Sequence, residues 1–105
     1  MRYLTNAFSL AMLANLPRTQ LGIELIPAST ARELAKGATS TVGHDLTAKI
    51  FTEILGIPVQ ANRCSVRLVR GDSVVVGQYA GPRLPEGATS LPEGSAILWY
   101  EVVVL

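Results

Sequence analysis

The last ten residues, Ala96 to Leu105, read Ala-Ile-Leu-Trp-Tyr-Glu-Val-Val-Val-Leu and carry one charged side chain. β-Branched and aromatic residues dominate the run, which favours an extended backbone. A half-buried strand would set a polar residue at every second place, and this segment does not. Its composition predicts a strand buried on both faces, with helices covering the sheet. The stretch before it, Gly81 to Ser95, holds Pro82, Pro85 and Pro92 together with Gly81, Gly87 and Gly94. Prolines remove backbone donors and glycines tolerate positive φ, so this segment is a stiff loop rather than regular structure. Within it Leu-Pro-Glu-Gly occurs twice, at Leu84–Gly87 and Leu91–Gly94. Such a loop on a rigid scaffold is a place where binding and chemistry collect.

The rest of the chain supplies the partners of that strand. Arg2–Thr5 reads as a first strand, and Asn6 or Ser9 as the N-cap of a short helix that Pro17 ends. Gln20–Ile26 alternates and is closed by Pro27, predicting a second strand. Thr30 and Glu33 match a capping box for a short helix that stops at Gly37. Residues 38–43 read as a small polar loop. The clearest helix is His44–Leu55, with Leu46, Ile50, Phe51, Ile54 and Leu55 on one face and Gly56 and Pro58 as the stop. Ser65–Val69 and Val74–Tyr79 flank Gly71-Asp72, the signature of a two-residue hairpin turn. The expected architecture is α/β: one compact domain over residues 1–105, with a mixed sheet of about five strands flanked by helices. The proline-rich loop joins the last two strands.

Composition narrows the function. Hydrophobic residues make up 49% of the chain and charged ones 16%. A small domain this apolar is expected to bury some surface in a homodimer or larger homo-oligomer. A net charge of +1 lacks the broad positive field of a duplex-binding protein, while a small anion held by a few groups remains compatible. The single cysteine, Cys64, excludes an intrachain disulfide and a cysteine-rich zinc site, and is expected as a small buried hydrophobe. No run is apolar for the length of a membrane span, so a cytoplasmic protein is expected.

The residues that bear chemistry are few. His44, the only histidine, opens the strongest helix, where free amides and the positive end of the dipole favour an anion. It suits proton transfer beside a bound phosphate, and equally a capping or surface role. Arg83 offers a planar five-donor fork for phosphate oxygens; on a turn it would also stand as a plain surface arginine. Glu86 can orient the histidine, accept a proton from a hydroxyl, or pair with Arg83. Asn62-Arg63 places an amide and a guanidinium where they can meet base edges or phosphates. Glu93 reads as turn chemistry. With one histidine no Ser/His/Asp set is available, no phosphate-binding glycine loop is present, and no metal or other cofactor is expected.

Several segments together resemble the viral ring nucleases, small anti-CRISPR proteins that counter type III CRISPR defence. The matching pieces are Asn6–Leu13, Gly43–Ala48, Asn62-Arg63, Gly77–Gly87 and the strand around Tyr100-Glu101-Val102, in the same order along nearly the whole chain. The resemblance implies a homodimer of α/β subunits that binds cyclic tetra-adenylate in a shared cavity and cleaves it without a metal. On that resemblance the catalytic residues are His44, Arg83 and Glu86, and the ligand-binding residues are Asn6, Ser9, Asn62 and Arg63. The family pattern has an asparagine where this chain has Ala11, and a valine where it has Cys64.

Overall fold

The structure is a computed structural model that describes residues 1–14, 16–83 and 91–105. Five strands form one mixed sheet: β1 (Arg2–Thr5), β2 (Leu21–Ile26), β3 (Thr39–Ser40), β4 (Ser73–Ala80) and β5 (Ala96–Val104). Their spatial order is β2-β5-β4-β1-β3. β5 lies between β2 and β4 and runs antiparallel to both. β1 lies between β4 and β3 and runs parallel to both. The apolar C-terminal run thus takes an interior place, as its composition demands, and the proline-rich segment joins the antiparallel pair β4 and β5.

Alternation along β5 divides the core into two layers. Ile97 and Trp99 point to one face, where they meet Leu4, Val75 and the helices α1 (Ala28–Ala35) and α2 (Asp45–Leu55). Phe51 of α2 is fully buried there and tilts against Trp99, with ring centroids 4.8 Å apart. Gly77 of β4 sits beneath these two rings; a Cβ at this position would lie 2.7 Å from Trp99 Cζ3 and 2.9 Å from Phe51 Cε1. Tyr100, Val102 and Val104 point to the other face, with Val74 and Val76. Among the described residues, no α-helix covers that face. A single 3-10 turn (Leu10–Leu13) supplies Leu13, and the extended segment 64–70 supplies Val66 and Leu68.

Several local expectations are corrected here. The Ser65–Val69 segment alternates as a strand does, with Leu68 buried and Val69 exposed, but it joins no sheet. Its Leu68 N–H bonds the Met12 carbonyl at 2.9 Å instead. Gly71-Asp72 does turn with positive φ at Gly71, +93°, yet it leads from this cover strap into β4 rather than joining two paired strands. Asp72 is buried and its carboxylate accepts the Val69 N–H at 3.0 Å and the Met1 ammonium at 3.2 Å. Thr30 and Glu33 form no capping box, because α1 starts directly after β2 with Pro27 as N-cap and no side-chain cap. The 38–43 stretch contains β3, whose parallel contact with β1 continues through Thr41 N–H to the Leu4 carbonyl at 2.8 Å. Ile54 lies at the edge of its helical face and is 38% exposed. Cys64 is exposed rather than buried. Among the described residues, no helix is long and apolar enough to cross a membrane.

Candidate functional site

Parallel strands end together, and in open α/β sheets ligands bind outside their carboxyl ends. Here Asn6 follows β1, the turn Thr41–His44 follows β3, and Gly81–Arg83 follow β4. All three meet at one end of the sheet, where the antiparallel β5 begins. A cavity of about 230 Å³ opens at this end, lined by Asn6, His44, Thr47, Ile50, Phe51, Gly77, Tyr79, Leu91 and Ile97. Its floor is the helix–sheet core and its rim carries the polar groups.

His44 is the N-cap residue of α2 by backbone geometry (φ −138°, ψ 138°), and its carbonyl accepts the first helical hydrogen bond from Ala48 at 3.0 Å. Its imidazole makes no capping bond. The exposed ring therefore faces the cavity without a structural task, and the first-turn amides of an eleven-residue helix lie beside it. Asn6 fixes the approach to this residue, because its Oδ1 accepts the Gly43 N–H at 3.1 Å. Arg63 flanks the same turn; a Cβ at Gly43 would stand 3.8 Å from its Cγ. Gly43 thus lies between an asparagine and an arginine, with the histidine next in sequence.

The remaining expected site residues divide. Asn62 is tied to the scaffold: its amide Nδ2 donates to the Ser40 carbonyl at 2.9 Å and its N–H to the Val42 carbonyl at 2.7 Å. Ser40 Oγ returns a bond to the Gln60 carbonyl at 2.6 Å. These bonds anchor the backbone just before Arg63, whose stem runs past Gly43. Ser9 caps the 3-10 turn, its Oγ accepting from Ala11 N–H at 3.1 Å, and it is not part of the cavity wall. Arg83 is exposed and leaves the same end of the sheet as His44. Its loop is pinned at the base: the Tyr79 hydroxyl donates to the Pro82 carbonyl, and Gly81 packs so closely on Ser95 that a Cβ would come within 2.8 Å of Ser95 Cα. At the other end of the loop, Pro92–Ser95 forms a turn with Ser95 N–H on the Pro92 carbonyl at 3.1 Å and Gly94 at φ +80°. Glu93 belongs to that turn, as expected. Glu86 lies outside the described residues.

Thr47 and Tyr79 belong to the cavity wall and were missed. Thr47 is three residues from His44, one helical turn on, so the spacing itself carried the signal. Tyr79 shares the face of Gly77 by the period of two in β4. Among the described residues, no three of His, Cys, Asp and Glu converge as a metal site. Chemically the arrangement combines an imidazole, a helix N-terminus, an arginine and an apolar floor. The helix N-terminus favours an anion and the floor an apolar group.

Comparison with known proteins agrees on the fold. The STIV B116-like family model matches residues 2–95. The structure superposes on B116 of Sulfolobus turreted icosahedral virus with a TM-score of 0.79, at 28% identity over 97% of each chain. No curated protein matches.

Proposed function

Because this chain belongs to the STIV B116-like family, and because its carboxyl-end cavity presents a histidine with no structural duty, we propose that it is a metal-independent ring nuclease. Its substrate on this reading is cyclic tetra-adenylate, and its effect is to antagonise or switch off type III CRISPR signalling. The supporting observation is the placement of His44: its ring lines a cavity rimmed by Asn6 and flanked by Arg63, with the amides of α2 beside it.

The reaction needs little from the protein. A ribose 2′-oxygen attacks the adjacent phosphorus, the P–O5′ bond breaks, and a 2′,3′-cyclic phosphate forms. The 2′ proton leaves to a base, and the departing 5′-oxygen takes a proton from the His44 imidazolium. General acid catalysis of this kind contributes roughly 10²–10⁴-fold. Arg83, with Arg63, neutralises charge on the phosphorane oxygens, as cationic clamps do in other phosphoryl transfers. Glu86 serves as the base or holds Arg83. Two subunits about a twofold axis match a ring whose four units contain a twofold, which gives linear di-adenylates as products.

A binding-only reading has one observation in its favour. Ser9 Oγ is engaged by the Ala11 N–H, and Ala11 replaces the asparagine of the ring-nuclease pattern, so polar grip on the ligand is reduced at this turn. One experiment separates the two readings. Incubation with cyclic tri-, tetra- and hexa-adenylate in EDTA yields linear products that His44→Ala abolishes if the nuclease reading holds. Intact ligand recovered from a stable complex establishes binding alone. A lack of both binding and cleavage refutes each.

A further inference from the structure

β4 leaves the sheet after its last pair, Ala80↔Ala96. The next three residues, Gly81, Pro82 and Arg83, carry the chain off the end of the sheet where the His44 cavity opens. Pro82 has no N–H with which to close a hairpin turn. A side chain supplies the clasp instead. The Tyr79 hydroxyl reaches forward past Gly81 and donates to the Pro82 carbonyl. Gly81 permits this in two ways. It takes φ +151°, in the region that favours glycine. A Cβ there would also stand 3.2 Å from the Tyr79 Oη and 2.6 Å from Ser95 Cβ, so any side chain would crowd the hydroxyl against Ser95.

The acceptor of this bond is the group that aims Arg83. The Pro82 carbonyl and the Arg83 N–H belong to one planar peptide unit. Holding the oxygen therefore fixes the direction in which the Arg83 N–Cα bond leaves, and it narrows the volume that the guanidinium can sweep. The donor is equally well placed. Tyr79 stands in β4 opposite Ile97, and both residues line the cavity that His44 lines. One phenol thus links the cavity wall to the backbone that carries the arginine.

Resting on the nuclease reading above, we propose that Tyr79 is a positioning residue for Arg83. Its hydroxyl, through the Pro82 carbonyl, sets the guanidinium where negative charge develops on the phosphorus-bound oxygens. A tyrosine hydroxyl has a single hydrogen to donate, and here the Pro82 carbonyl takes it. Tyr79 therefore acts through Arg83 and transfers no proton to the leaving oxygen. An arginine that meets charge formed only in the transition state loses rate when it is displaced, with little change in substrate affinity.

Tyr79→Phe keeps the ring in the cavity wall and removes the hydroxyl. In steady-state cleavage of cyclic tetra-adenylate with EDTA, kcat is expected to fall roughly 10–100-fold, the scale of a catalytic group misplaced by about 1 Å, with KM within about twofold of wild type. The urea midpoint is expected to stay near wild type, because the lost bond is exposed. A double-mutant cycle assigns the route. In an Arg83→Ala background, Tyr79→Phe is expected to cost nothing further, whereas a damaged cavity wall would slow both backgrounds alike. A Tyr79→Phe kcat equal to wild type, a loss confined to KM, or the same loss with and without Arg83 overturns the proposal and leaves the nuclease reading standing. A wild-type chain that cleaves no cyclic oligoadenylate overturns both.

Discussion

Gly77→Ala tests the packing that supports the cavity floor. The added methyl would stand 2.7 Å from Trp99 Cζ3 and 2.9 Å from Phe51 Cε1. Both rings are buried, at 3% and 0% exposure, and already tilt against each other. Alanine has the better intrinsic preference for a fixed backbone, by roughly 0.5–1 kcal/mol. Overpacking a filled core costs about 1–3 kcal/mol, so the clash is expected to prevail and leave a net loss on the order of 1–2 kcal/mol. For a domain of this size, that lowers Tm by roughly 5–15 °C. Thermal denaturation followed by near-ultraviolet circular dichroism reports both stability and the Trp99 environment. A double-mutant cycle with Phe51→Leu isolates the cause: the leucine removes the ring edge, so Gly77→Ala in that background should cost much less. Additive losses in the cycle, or a Tm at or above wild type for the single variant, would refute the steric account.

Three further outcomes follow from specific contacts. On the proposed nuclease reading, His44→Ala should reduce cleavage of cyclic tetra-adenylate by at least about 10²-fold in product assays with EDTA, while leaving the urea midpoint close to wild type, because the ring makes no capping bond. Asn6→Ala leaves the Gly43 N–H without its acceptor and should cost about 1 kcal/mol in chemical denaturation; Asn6→Asp, which keeps an oxygen there, should restore most of that loss. Asp72→Ala strips the acceptor from Val69 N–H at a buried site and should cost about 1–3 kcal/mol, with Asp72→Asn intermediate; an unchanged urea midpoint would show that the turn does not depend on this carboxylate.

What could be read from the sequence was what neighbouring residues decide among themselves. α2 announced itself by its apolar face and by Gly56, and its first residue differs from expectation by one place. β5 was legible because both of its faces are apolar. The misread segments are those whose structure depends on a partner far away in the chain. Residues 65–69 alternate correctly, but whether an alternating segment pairs or merely lies across a sheet is decided by the strands beneath it. β3 is too short to carry a pattern and exists because β1 offers it an edge. Cys64 was placed by the habit of its residue type, whereas its position on the outer strap exposes it. At the site, His44 and Arg63 were legible from their own chemistry and Asn6 from the resemblance, and the three lie around Gly43. Asn62 and Ser9, named for a ligand, each hold a backbone group as well, Asn62 Nδ2 the Ser40 carbonyl and Ser9 Oγ the Ala11 N–H, a bond that sequence does not encode.

The interior position of β5 has a consequence for how the chain reaches this form. β2 is made early, but its neighbour begins at Ala96, and Leu21 must find Val104 across nearly the whole polypeptide. β1 waits likewise for Ser73. Pairings of such long sequence separation close slowly, because loop entropy is lost before contacts reward it. During synthesis the early apolar segments β1 and β2 therefore remain without these strand partners until Ser73–Ala80 and Ala96–Val104 have been made.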